Sequence, residues 1–224
     1  MQVISVSLGY ILTEILHGNP ISKIKNVCKK VAKACGFLAK LRHCVHIDVL
    51  LSVYYALIYS YLRYGITSWG SASSSALQPL SALNNRAVRI MTSAPFGNID
   101  VDSIYKYLNI PKISQIIELE TGKFVFKKQN SLLPSNDIAN HFELRNSQTS
   151  HHYNLRDRQI HLQTTKSSSA HGNKSIQFRA SKLWNEIPDT LRSSESYSIF
   201  KSQFKKFLIE DDHSENGNDS FLFY

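Results

Sequence analysis

From residue 15 to residue 47 the chain carries no acidic residue. Inside that window apolar residues recur at Ile24, Val27, Val31, Cys35, Leu38 and Leu41. Steps of three and four place them on one face of an α-helix. Asn19-Pro20 opens the segment, with Asn as cap and Pro at the first helical position. The remaining surface holds Lys23, Lys25, Lys29, Lys30, Lys33, Lys40 and Arg42. Solvated helices usually mix signs and gain from i,i+4 pairs. Seven like charges in one segment cost stability unless a polyanion faces them. The pattern predicts a helix over about 20–41 that packs on one side and meets phosphate on the other. A plain solvated face is the competing expectation.

The whole chain has the same bias. Its 224 residues hold 26 Lys and Arg against 17 Asp and Glu, a net +9. Five of the acidic residues, Glu210, Asp211, Asp212, Glu215 and Asp219, fall after residue 209, where there is no Lys or Arg. Residues 1–209 therefore carry a net +14. A basic body with a short acidic tail points to a polyanionic partner, nucleic acid ahead of a membrane surface. Cys28, Cys35 and Cys44 are too few for a disulfide scaffold, and their spacing fits no zinc pattern. Cys28 and Cys35 stand one heptad apart, as small residues on one buried face, and a reducing compartment fits them. No secretory signal is visible at the start. The most apolar stretch, Val49 to Leu62, has 14 residues. That is short of the roughly 18 needed to span a membrane, so a buried helix is expected there.

Further along, a second helix is expected from about Asp48 to Tyr64, apolar nearly all round, ended by Gly65, with tyrosine hydroxyls in need of partners. Trp69-Gly70 and Ser71–Ser75 read as a loop. A third helix is expected from about Leu77 to Thr92, with Leu80, Leu83, Ala87, Val88 and Met91 inward and Arg86 and Arg89 three residues apart. Pro79 should sit in its first turn or kink it. A short helix over 102–108 and a longer one from Pro111 to about Gln129 follow. Residues 135–175 turn polar and basic and hold five of the nine histidines. Two helices are expected over 175–192 and 197–209, and 210–224 reads as a disordered acidic tail. The first residues, Val3 to Leu12, are β-branched and partly alternating, as in one or two short strands.

Catalytic motifs are missing. The sequence contains no phosphate loop, no dinucleotide fingerprint, no G-x-S-x-G and no H-E-x-x-H. The carboxylates nearest one another in the body are Asp102, Glu118 and Glu120, and the two glutamates, at i,i+2, point apart on a helix. Two-metal nucleotidyl transfer needs clustered carboxylates. The residues alone describe a binding module, with no catalytic and no metal-ligating residue nominated.

Six blocks in order resemble the C-terminal third of reverse transcriptases from non-LTR, LINE-like retrotransposons of the jockey type. Leu8-Gly9-Tyr10-Ile11 is similar to the Leu-Gly strand closing the palm, and Lys33 to Arg42 to the basic helix after it. Leu57 to Ile66 with Trp69-Gly70 resembles the Tyr-Gly…Trp-Gly block of the thumb. Leu83 to Met91 resembles the Leu-Gln-x-Arg-Ala-x-Arg run. Tyr153-Asn154-Leu155-Arg156 resembles the Tyr-Asn-x-Arg segment. Lys182 to Pro188 with Phe200-Lys201 and Phe204-Lys205-Lys206 resembles the Trp-Asn-x-Leu-Pro…Phe-Lys terminus. The resemblance covers about residues 6–209.

The resemblance implies a mainly α chain: palm remnant over 1–14, helical thumb-like domain over 15–94, helical extension over 95–134, basic C-terminal region over 135–209. It implies that the polymerase carboxylates, with their Mg²⁺, belong to a palm upstream of Leu8. The chain would then be a truncated copy, inactive in polymerisation by itself and without a cofactor of its own. The implied partner is a primer–template, RNA–DNA hybrid or DNA duplex, gripped without regard to sequence. The contacts nominated for its backbone are Lys29, Lys30, Lys33, Lys40, Arg42, Arg86 and Arg89. The missing palm and fingers polypeptide is a second implied partner; no membrane is. A helical protein-interaction domain or a pseudogene translation is the alternative.

Overall fold

The computed structural model describes residues 20–94, 99–132, 162 and 176–210. Of these, 79% are helical and none lies in a strand, so the chain is mainly α. The β segment expected over 1–14, the polar stretch 135–175 apart from Leu162, and residues 211–224 lie outside the described residues. Two compact units divide between Ile117 and Glu118, inside a helix.

In the first unit, α1 spans Pro20–Leu41. Its predicted stripe is the buried one: Ile24, Val31, Cys35 and Leu38 are core residues and Val27 and Leu41 pack against them. Next come α2 (Ile47–Val53), a π-helical segment (Tyr54–Tyr59) and α3 (Ser60–Arg63). The helix expected from 48 to 64 is therefore present, but its middle is wound wider. The buried residues explain why. Leu50, Tyr54, Ile58 and Leu62 are spaced by four. On an α-helix each such step overshoots a turn by about 40°, or about 120° from Leu50 to Leu62. The wider i→i+5 turn takes up that drift and keeps all four facing the core.

Gly65, at φ 66°, ends this rod. The following loop is shorter than expected. Ile66–Trp69 form a helical turn, α4, and buried Trp69 donates its indole N–H to the Tyr64 carbonyl at 3.1 Å. Then α5 covers Ser74–Thr92, three residues earlier than predicted. Pro79 is consequently its sixth residue, past the first turn. Its missing N–H leaves the Ser75 carbonyl without that helical bond. Exposed Ser75 can turn to water instead. Leu80, Ala87, Val88 and Met91 are buried as expected, and Leu83 is half-buried. Asn84, which no apolar pattern flags, is fully buried.

The tyrosine hydroxyls find their partners. Tyr54 donates to Asn84 Oδ1 at 2.9 Å, Tyr105 to Asn85 Oδ1 at 2.9 Å, and Tyr55 to the Asn109 carbonyl at 3.3 Å. Tyr105 belongs to α6 (Val101–Tyr107). After Pro111, α7 runs over Ile113–Gln129. The Lys112 N–H donates to the Gln115 side chain at 2.8 Å, half of a capping box at its start.

The second unit combines the later part of α7 with α8 (Ile176–Glu186), α9 (Asp189–Arg192) and α10 (Tyr197–Glu210). The helix expected over 175–192 is split in two, because Pro188 at the junction lacks the N–H a continuous helix needs. Glu210 closes α10 instead of opening a tail. The core is aromatic. Phe126 stacks on Phe200 at 4.3 Å, Phe200 on Phe204 at 5.3 Å, and Trp184 lies 6.1 Å from Phe200. Asn185 holds an extended residue from both sides: its Oδ1 accepts from the Leu162 N–H at 2.8 Å and its Nδ2 donates to the Leu162 carbonyl at 3.1 Å. The Leu162 side chain is buried.

Candidate nucleic-acid interface

The nominated cations depend on the register of α1. With Val31, Cys35 and Leu38 facing inward, residues about half a turn away face water. Lys29, Lys33 and Lys40 all do so and are exposed. Among the described residues, no ion pair engages these three. The neighbouring pairs Lys25–Lys29, Lys29–Lys33 and Lys30–Lys33, at i,i+3 or i,i+4, each cost about 0.2–0.5 kcal/mol. That is a small penalty beside burial of a helix face, and a bound phosphate reverses its sign. Within α1 and the turn after it, nothing acidic offsets the charge.

The other four nominated residues are placed differently. Lys30 turns toward the second helical rod, its ammonium 5.0 Å above the Tyr61 ring. Such a cation–π contact holds the charge at the surface. Arg42 lies in the turn after α1, where its Nε donates to His43 Nε2 at 3.0 Å. Arg86 is exposed on α5, one turn beyond Leu83. The Leu83 carbonyl accepts from Cys35 Sγ at 3.6 Å, which fixes α5 alongside α1 at that point. Burial pushes the Cys35 thiol up, and the Arg86 charge partly opposes it. Burial likewise raises Cys28, so neither thiol is poised as a nucleophile. Arg89 is half-buried. The structure thus brings Lys29, Lys33 and Lys40 together on one face of α1, turns Lys30 of the same helix toward Tyr61, sets Arg86 on α5, and leaves Arg42 and Arg89 outside that set.

Each of the carboxylates has a cation beside it. Asp102 pairs with Lys112 at 3.0 Å, Glu120 with Lys123 at 2.6 Å, and Glu118 lies in the field of Arg179. Among the described residues no group of three His, Cys, Asp or Glu could hold a metal ion. No described helix is long and apolar enough to cross a membrane.

Two aromatic residues of this face escaped the charge-based reading. Tyr61 underlies Lys30, and Phe37 stands 48% exposed in the basic row. The signal for Phe37 was its place in the series Asn26, Lys30, Lys33, Phe37, Lys40, with steps of four and three. Comparison with known protein families, curated proteins and solved structures finds no match for this chain.

Proposed function

We propose that this chain is a nucleic-acid backbone-binding module, reverse-transcriptase-like in its sequence blocks, that grips an RNA–DNA or DNA duplex without reading its sequence. The observation that carries the proposal is the exposed, single-sign row Lys29, Lys33 and Lys40 on α1, backed by a rigid apolar face. Lys30, seated on Tyr61, adds charge at its edge, and Arg86 is a further exposed cation on α5. Lysine–phosphate contacts position a duplex and carry no sequence information. The cation beside each of Asp102, Glu118 and Glu120 supports binding rather than metal-assisted phosphoryl chemistry as the task of the described residues.

A salt titration tests this. For duplex DNA, log K falls against log[salt] with a slope of about −0.9 per phosphate contact. Changing Lys29, Lys33 and Lys40 together to Ala removes about 2.7 from the size of that slope if all three touch phosphate. A wild-type slope near zero, or an unchanged slope in the triple variant, overturns the proposal.

A further inference from the structure

We infer that the α1 row also takes an unpaired base: the Phe37 ring is a stacking platform for single-stranded nucleic acid, with Lys33 and Lys40 on the flanking phosphates. This rests on the nucleic-acid reading above and narrows its substrate to one with exposed base faces.

Phe37 has no place in the core of α1, and nearly half of it meets solvent. Asn26, Lys30, Lys33, Phe37 and Lys40 are all exposed. Their alternating steps of four and three set them in one line along the helix. At 1.5 Å per residue, Lys33 lies about 6 Å before the ring and Lys40 about 4.5 Å after it. The two lysine positions are therefore about 10 Å apart along the helix, close to three nucleotide steps of a stacked strand at about 3.4 Å of axial rise each. An aromatic ring between evenly spaced cations is the arrangement by which sequence-tolerant proteins hold single strands, stacking on bases while lysines follow the backbone. Gly36 beside it leaves the surface open: a Cβ there would meet nothing within 4 Å. Lys30 is already held at the surface by Tyr61, so the row is partly ordered before any ligand arrives. A duplex hides its base faces except at its ends, so the ring is of use only where a strand is unpaired. A protein partner would have to match the ring with an apolar group and the lysines with acids. A nucleotide supplies both at once.

The test compares a fluorescein-labelled oligothymidylate with a blunt duplex of the same length, using the full chain and the variants Phe37→Leu, Phe37→Ala and Phe37→Trp. Leu keeps apolar volume without a π face. Phe37→Leu and Phe37→Ala should weaken oligothymidylate binding about 5- to 100-fold. Their duplex affinity and salt slope should stay at wild-type values, and Phe37→Trp should restore single-strand binding. If wild type binds duplex with the expected salt slope but Phe37→Leu binds oligothymidylate as well as wild type, the stacking inference fails and the backbone reading stands. If wild type binds neither ligand in a salt-dependent way, both fail. If Phe37→Ala instead changes the sedimentation of the free protein, the ring is a contact between copies and the inference fails.

Discussion

Two glycines in the helical interior should respond to the same substitution with opposite signs. Gly36 in α1 has open space around it, while a Cβ on Gly122 in α7 would sit 2.5 Å from Cε1 of Phe204, with two more ring atoms within 3.3 Å. Ala in place of Gly favours a helix by about 1 kcal/mol when nothing else changes. For Gly36→Ala nothing else does, so stability should rise by about that amount. For Gly122→Ala the Phe204 ring must retreat by about 0.9 Å to reach ordinary contact at 3.4 Å. It has nowhere to go, being fully buried and stacked 5.3 Å from Phe200 and 6.4 Å from Phe207.

Overpacking of this kind costs about 1–3 kcal/mol, which outweighs the helix gain. A net loss of about 1 kcal/mol follows. For units of a little over 100 residues 1 kcal/mol moves Tm by roughly 4 °C. Thermal unfolding followed by far-ultraviolet circular dichroism should therefore shift up for Gly36→Ala and down for Gly122→Ala. In a Phe204→Leu background the smaller side chain leaves room, so Gly122→Ala should lose less there, a coupling that a double-mutant cycle reads directly. Gly122→Ala melting at or above wild type, or equal losses in both backgrounds, would refute the packing argument.

Two further outcomes follow from buried polar groups. Burial raises the Tyr54 and Tyr105 phenols well above their ordinary value of 10.0. Between the two values the folded state keeps protons that the unfolded state has lost, so stability is full below about pH 10 and declines above it, by about 1.4 kcal/mol per phenol per pH unit. Urea unfolding across that range measures the decline, and phenolate absorbance that appears in full before unfolding would contradict it. Asn185→Ala removes both hydrogen bonds to the Leu162 backbone and should cost about 1–3 kcal/mol. It should also speed hydrogen exchange at the Leu162 amide, and unchanged protection there would show that the clamp does not hold this residue.

Much of the fold was legible where one face repeats at a fixed spacing. The α1 stripe from Ile24 to Leu41 and the helices around 101–107 and 113–129 were read within a residue or two of their bounds. The spacing of four through Leu50, Tyr54, Ile58 and Leu62 was equally visible as a hydrophobic helix, yet its wider winding was not. A period midway between two helix types is resolved only by the surface it must cover. The split at Pro188 and the turn at Ile66–Trp69 were lost for a similar reason, since a single turn of helix offers too few residues to show a period. In the candidate interface, the lysines were found by charge. Phe37 was not, because an aromatic residue in a helix is more often core than surface.

By itself the sequence determined a basic amphipathic helix between residues 20 and 41, because charge and helical period are properties of consecutive residues. Only the tertiary structure decided which polar groups go inside. Asn84 is buried to meet the Tyr54 hydroxyl, and Asn185 is turned toward the Leu162 backbone. It also decided that Gly122 must lack a side chain, because Phe204, more than eighty positions later, occupies the space. These are meetings between residues far apart in the chain, and no local pattern encodes them.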